Sequence, residues 1–431
     1  MFRGFKFNIQ NNWSFRSCTK SCLMSTCYSE KGSVYVHWPY CKRRCSYCNF
    51  VKYIPRDNTA WTFPDTTLED AMVTELEFSL KNSPIKTITS VFFGGGTPSL
   101  ARPQLVEKVL STIENCCLLA SNAEVSLEAN PTSMEAQKLS DFKHSGVNRL
   151  SLGVQSLHDD ILQLLNREHS AIEALDCIEK AKQIFLHKLS IDLMFGLPHQ
   201  TIQMWEKDLE LILESCDDHV SLYQLTLERG TRLFKQVKAG ELSVCSREEE
   251  VDMYELAVSF LAGKGFRRYE VSNFARNLEA ESGHNKAVWQ GGQYVGIGPG
   301  AHSRVVRLDC EKGECLPDGA REARANATDP QSWLREVSLK GTGARRVTRQ
   351  TRLDMQMEYL ATGLRTAEGV TQLRWRDFCA FPLGEVFGGA VLDPEVLVLE
   401  KDRFRATPKG INVLDAFLPN LINWVQEYDR S

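Results

Sequence analysis

The chain has 431 residues, 42% of them hydrophobic and 25% charged, which is ordinary for a globular protein and long enough for about two domains. A net charge of −4 gives no general argument for nucleic-acid or membrane binding, and no apolar run approaches the roughly 18 residues a membrane helix needs. Fourteen cysteines without a secretory leader point to a reducing compartment rather than a disulfide framework.

Residues 1–29 contain no Asp or Glu, but hold Arg3, Lys6, Arg16 and Lys20 among many serines and threonines. Such composition reads as a mitochondrial transit peptide over 1–30, the alternative being a short solvated tail. A strand is expected at Val34–His37. Directly after it come Cys41, Cys45 and Cys48, spaced C-x3-C-x2-C. Three thiolates at this spacing can ligate three irons of a [4Fe-4S] cubane and leave the fourth iron open. Part of a zinc site and inert buried thiols are the competing readings, although closed structural zinc sites want four ligands.

Downstream, Leu68, Met72, Leu76 and Leu80 recur every four residues and predict a helix over 65–82, with Asp65 as its N-cap. A strand at Thr87–Phe93 runs into Gly94-Gly95-Gly96-Thr97-Pro98. Helices near 103–118, 133–144, 157–186 and 201–215 alternate with strands at Glu124–Ala129, Val147–Leu152, Leu189–Met194 and Val220–Leu227. Six such βα units predict an α/β fold, a partial (βα)6 barrel over 31–303, with its chemistry at the C-terminal ends of the strands. Residues 304–345, polar and rich in Gly and Pro, read as a linker; Cys310 and Cys315 within it are poor evidence for a metal site. Residues 346–431 predict a small helical, winged-helix-like domain without a basic recognition helix, hence no nucleic-acid role.

The cysteine loop followed by Gly94–Pro98 resembles the radical S-adenosylmethionine (SAM) superfamily. The resemblance narrows to the oxygen-independent coproporphyrinogen III oxidase family through Tyr35-Val36-His37-Trp38-Pro39-Tyr40-Cys41, Ser126–Pro131, Ser151–Ser156, Asp192–Pro198 and Tyr269–Ala275. It implies a cluster on Cys41, Cys45 and Cys48, with SAM chelating the open iron. It further implies that Tyr35, Tyr47, Gly95, Gly96, Thr97, Glu128, Gln155, Arg167 and Asp192 line the SAM site. Structural carboxylates and a solvated arginine are the plain alternatives for Glu128, Asp192 and Arg167. One electron to the bound pair would yield methionine and a 5′-deoxyadenosyl radical.

Within that family the decarboxylating oxidase resembles this chain but has a further cysteine two positions past the third. Here Asn49 and Phe50 follow Cys48, the form of the heme chaperone branch. That branch carries His-Asn-x-x-Tyr-Trp, matched here by His284-Asn285-Lys286-Ala287-Val288-Trp289 with Val288 in place of tyrosine. His284 is therefore the first candidate heme ligand and His302 the second. A structural loop histidine is the alternative for His284. The expected partners are heme, a heme-accepting protein and an electron donor; the expected location is the mitochondrion. The competing function is a coproporphyrinogen III oxidase or another radical SAM enzyme acting on a tetrapyrrole.

Overall fold

The computed structural model describes residues 29–54, 65–306, 321–390 and 393–430. The expected transit peptide and the Cys310/Cys315 pair lie outside them.

Six strands, β1 (Lys31–Trp38), β2 (Thr87–Gly95), β3 (Leu118–Ala129), β4 (Arg149–Gln155), β5 (Leu189–Phe195) and β6 (His219–Gln224), pair in parallel in chain order. Alternation decides which side chains enter the barrel. On β1, Val34, Val36 and Trp38 point outward into a core that includes Leu68, Met72 and Leu76 of the helix Asp65–Lys81. Ser33, Tyr35 and His37 point inward. The helix Gln104–Cys116 buries Leu105, Val106, Val109 and Ile113 in the same way. Burial of both sheet faces is what a parallel sheet requires, and the expected α/β barrel is the fold found.

The sheet does not stop at six strands. β7 (Arg267–Arg268) and β8 (Asn273–Ala275) close the β6 side, with β8 antiparallel to β6. Beyond β1 lie β9 (Gln293–Ile297), parallel to β1, and then antiparallel β10 (His302–Val306), β11 (Arg321–Asn326) and β12 (Ala344–Gln350). The result is an open twelve-stranded sheet.

Residues 304–345 are thus not a linker. They supply most of β10, all of β11 and the helix Pro330–Lys340, and they run into β12. The signal of β11 is hidden because the strand buries the polar Arg321, Glu322 and Asn326, and that of β12 because Arg345–Arg349 are exposed on both sides of this edge strand, so no apolar alternation marks either.

The C-terminal unit has its own core, built on Tyr359, Trp375, Phe387, Phe404 and Leu421. The helix Arg352–Gly363 precedes a three-stranded antiparallel sheet of β13 (Val370–Thr371), β15 (Arg403–Ala406) and β14 (Leu397–Leu399), and the helix Leu414–Arg430 closes the chain.

Candidate functional site

The cysteine loop leaves the end of β1 and is tied down by backbone. Cys41 N–H donates to Tyr53 O (3.1 Å), Ser46 N–H to Leu165 O (3.0 Å) and Leu233 N–H to Ser46 O (2.8 Å). The glycine turn after β2 is pressed against it: Gly96 N–H donates to Trp38 O (2.7 Å) and Thr97 N–H to Tyr40 O (2.9 Å). A Cβ on Gly96 would lie 2.6 Å from Tyr40 O, so only glycine permits this approach. Gly95 takes φ +106° and places its N–H 3.3 Å from Glu128 Oε2; a Cβ there would strike the His37 ring.

A cavity of about 430 Å³ opens at the C-terminal ends of the strands. All three motif cysteines line it. So do eight of the nine residues expected around SAM, from Tyr47 on the loop to Asp192 on β5. The exception is Tyr35, which faces a different chamber. Gln155 ends β4 at φ +71°, a conformation uncommon outside glycine, beside a register shift between β4 and β5.

Hydrogen bonds aim at the sulfurs. Thr97 Oγ1 donates to Cys41 Sγ (3.3 Å) and Arg167 Nη1 to Cys45 Sγ (3.5 Å). Burial pushes the Cys41 thiol up to about 11, against the Thr97 bond and the Lys52 charge, which favour the thiolate. Burial also opposes the Arg167 charge, but the neighbouring Tyr47 and Cys45 more than offset it. Arg167 Nη2 further donates to Asn130 Oδ1 (2.8 Å) and Gly153 O (2.5 Å), while its buried Nε has no hydrogen-bond partner among the described residues. Across the cavity Ser151 Oγ donates to both Asp192 oxygens (3.1 and 2.9 Å). Burial, then Asp192, pushes Glu128 up to about 8. Asn130 and Ser151 orient the wall although sequence reasoning assigned them no role; both lie inside segments that carried the family resemblance.

A second cavity of about 340 Å³ lies inside the barrel and shares Glu128, Ser151, Asp192 and Tyr223 with the first. Tyr35 and His284 line this one, the former because β1 alternation turns it toward Phe92 and His284. His284, on the helix Gly283–Trp289, is buried. Its Nδ1 lies 3.1 Å from Ser90 Oγ, its ring stacks on Phe92 at 4.9 Å, and burial pulls its pKa down to about 4. His302, the other candidate, begins β10 and is exposed. The two histidines therefore do not share a chamber.

Residues 35–212 match the family model described as the radical SAM superfamily. The chain is 45% identical over 409 residues to "Radical S-adenosyl methionine domain-containing protein 1, mitochondrial" of Bos taurus, covering 93% of this chain and 89% of that protein. The chain belongs to the radical SAM superfamily. The bovine protein's family also includes a mouse relative at 46% identity with the same coverage. The "Heme chaperone HemW" of Bacillus subtilis is 31% identical over 84% of this chain and 90% of its own length. Among solved structures, coproporphyrinogen III oxidase (HemN) of Escherichia coli superposes with a TM-score of 0.71 at 19% identity, over 94% of this chain and 93% of that one, which shows a shared fold. The vertebrate relatives place this radical SAM protein among mitochondrial proteins.

Membership in the superfamily implies a [4Fe-4S] cluster and SAM, and the cavity fits both. Among the described residues no three His, Cys, Asp or Glu side chains converge on a single-ion position. A cubane instead spreads its thiolates over separate irons. The unsatisfied Arg167 Nε suits a carboxylate, and Glu128 with Asp192 suits hydroxyl or ammonium donors. No helix among the described residues is long and apolar enough to cross a membrane.

Proposed function

We propose that this radical SAM protein is a mitochondrial heme chaperone, which binds heme and hands it to an acceptor protein. In this reading Cys41, Cys45 and Cys48 hold one [4Fe-4S] cluster, and SAM exchanges at its open iron. The observation that carries it is Phe50. The position where a decarboxylating oxidase has its further cysteine is an exposed phenylalanine (66%) at the cavity wall. The relatives named heme chaperones support the same choice, whereas the likeness to coproporphyrinogen III oxidase extends to the fold alone.

When bound, cluster and SAM together supply one-electron chemistry. The chain's own part is placement. Thr97 and Arg167 donate to the Sγ atoms of Cys41 and Cys45 that would hold the cluster, the glycine turn leaves room for a ligand close to the backbone, and Glu128 with Asp192 would accept from its polar groups. Arg167, fixed by Asn130 and Gly153, faces the carboxylate end.

The test is anaerobic reconstitution with iron and sulfide, then titration with heme and, separately, incubation with coproporphyrinogen III, SAM and a reductant. Saturable heme binding without decarboxylated product is expected. Vinyl-bearing product matched by 5′-deoxyadenosine would make the chain an oxidase. Cys41→Ala, Cys45→Ala and Cys48→Ala are each expected to lose the visible cluster absorbance while keeping native circular dichroism. Full absorbance in any of them would remove that thiol from the ligand set.

A further inference from the structure

We propose that the inner chamber of the barrel binds a small organic acid with a flat apolar body, its carboxylate on Arg149 and its body against Tyr35, Phe92 and Trp289. The site goes beyond the heme reading above and is independent of where heme docks.

Arg149 opens β4 and lines the chamber of about 340 Å³. It lies two residues, about 7 Å, deeper than Ser151, which the chamber shares with the cavity of the cysteines. The residue is 3% exposed, and neither Nη1 nor Nη2 has a hydrogen-bond partner among the described residues. Its ion-pair partner Glu124 stands 3.6 Å from Nη1, beyond hydrogen-bond reach. Glu124 Oε1 instead accepts from Ser126 Oγ (3.3 Å), Ser282 Oγ (3.4 Å) and His284 N–H (3.2 Å). Both terminal nitrogens of a buried guanidinium are therefore left for a ligand, and leaving them unpaired costs free energy.

The rest of the wall decides what kind of anion fits. Arg149 is the only permanent cation lining the chamber among the described residues. His219 and His284 are held neutral by burial, assisted at His219 by the Arg149 charge. Asp192 and Glu270 also face the chamber, and each already has its donors: Ser151 and Ser190 for the first, Asn273 Nδ2 and Ser272 N–H for the second. A doubly charged phosphate is repelled among these carboxylates, whereas a planar, singly charged carboxylate matches the guanidinium fork.

Another part of the wall is aromatic. Tyr35 and Phe92 stack at 6.2 Å, His284 backs Phe92 at 4.9 Å, and Val288 and Trp289 continue the surface. One placed cation beside an apolar, aromatic surface is the usual make-up of a small-molecule site, and the volume falls at the small end of the roughly 300–1,000 Å³ such sites span. An occupant anchored on Arg149 extends toward Glu128 and Asp192, which border both cavities.

The experiment is calorimetric titration of the full chain with benzoate, benzamide, acetate and inorganic phosphate. Expected is one benzoate per chain, bound at least about tenfold more tightly than benzamide, which lacks the charge, or acetate, which lacks the body. Arg149→Lys keeps the charge but not the fork, and is expected to bind benzoate about tenfold more weakly with native circular dichroism. Val288→Trp fills the chamber from the helix Gly283–Trp289 and is expected to abolish saturable binding, a second reading should Arg149→Lys fail to fold. Equal affinities for benzoate and benzamide would overturn the carboxylate assignment, as would phosphate binding more tightly than benzoate. Unchanged benzoate affinity in both variants, or no saturable benzoate binding by the wild type, would overturn the site.

Discussion

At Glu128 a single carboxyl is asked to do two things, to close the barrel interior and to receive a polar ligand. Burial and the nearby Asp192 push it up to about 8, and only the Gly95 N–H pulls the other way. Below that value the group is protonated; above it the carboxylate is an acceptor alone. A ligand that donates to it binds the ionised form better, so affinity rises as pH rises toward and through about 8 and then levels. SAM binding to the reconstituted protein, measured by titration calorimetry from pH 6.5 to 9, is expected to show this rise. Glu128→Gln is expected to lack that part of the slope and to bind about tenfold more weakly at the alkaline end. Equal pH profiles for the two proteins would place Glu128 outside the ligand contact. Gly95 shows the same economy at backbone level. Its positive φ turns an N–H onto Glu128, and the space a Cβ would need is taken by His37.

Among the elements, the helix Asp65–Lys81 carries an unexpected polar fastening on its apolar face. Glu75, 1% exposed, accepts from Gly298 N–H (2.9 Å), Gly343 N–H (2.6 Å), Asn326 Nδ2 (3.0 Å) and Trp333 Nε1 (2.9 Å). Those donors come from the turn after β9, the end of β11, the helix Pro330–Lys340 and the approach to β12. One carboxyl group thus joins four pieces of the extension to the barrel. Gly298, at φ +96°, lies so near the end of β1 that a Cβ would sit 2.4 Å from His37 O, so the fastening also backs the cysteine loop. Glu75→Ala leaves buried donors unpaired and is expected to cost about 2–5 kcal/mol in a denaturant titration. Glu75→Gln, which keeps one acceptor oxygen, is expected to lose less. A cost below about 1 kcal/mol for the alanine variant would mean that water reaches those donors.

For the whole molecule, the question is how the C-terminal unit, with its own core, stays on the sheet. Glu358 of the helix Arg352–Gly363 receives Arg304 of β10, Arg321 of β11 and Gln350 at the end of β12. Arg321 is nearly inaccessible (3%), and its charge needs that partner. Removing one member of a buried pair costs about 3–5 kcal/mol because the other charge stays buried. Glu358→Gln is therefore expected to uncouple the two cores. Hydrogen exchange across Arg352–Gly363 should quicken and the calorimetric transition should split, with the C-terminal unit melting first. A single unshifted transition would show that apolar contact alone holds the unit.

The sequence by itself determined the cysteine loop, the glycine turn and the six βα units, because each is written in local spacing. Thiols three and four positions apart, glycines where backbone approaches backbone, and apolar periods of two and about four need no distant partner to be read. Only the tertiary structure decided the rest. Strand β12 is polar and exposed along its length, while β11 buries the polar Arg321, Glu322 and Asn326, so both acquire strand character from their neighbours and not from their own pattern. Tyr35 belongs to the inner chamber rather than the cavity of the cysteines because alternation along β1 turns it toward Phe92 of β2 and His284. His284 and His302 look equivalent in sequence, yet a helix buries one against Phe92 while an edge of the sheet exposes the other between two arginines. Which histidine a ligand can reach is set by long-range pairing, and that information is absent from any short stretch of chain.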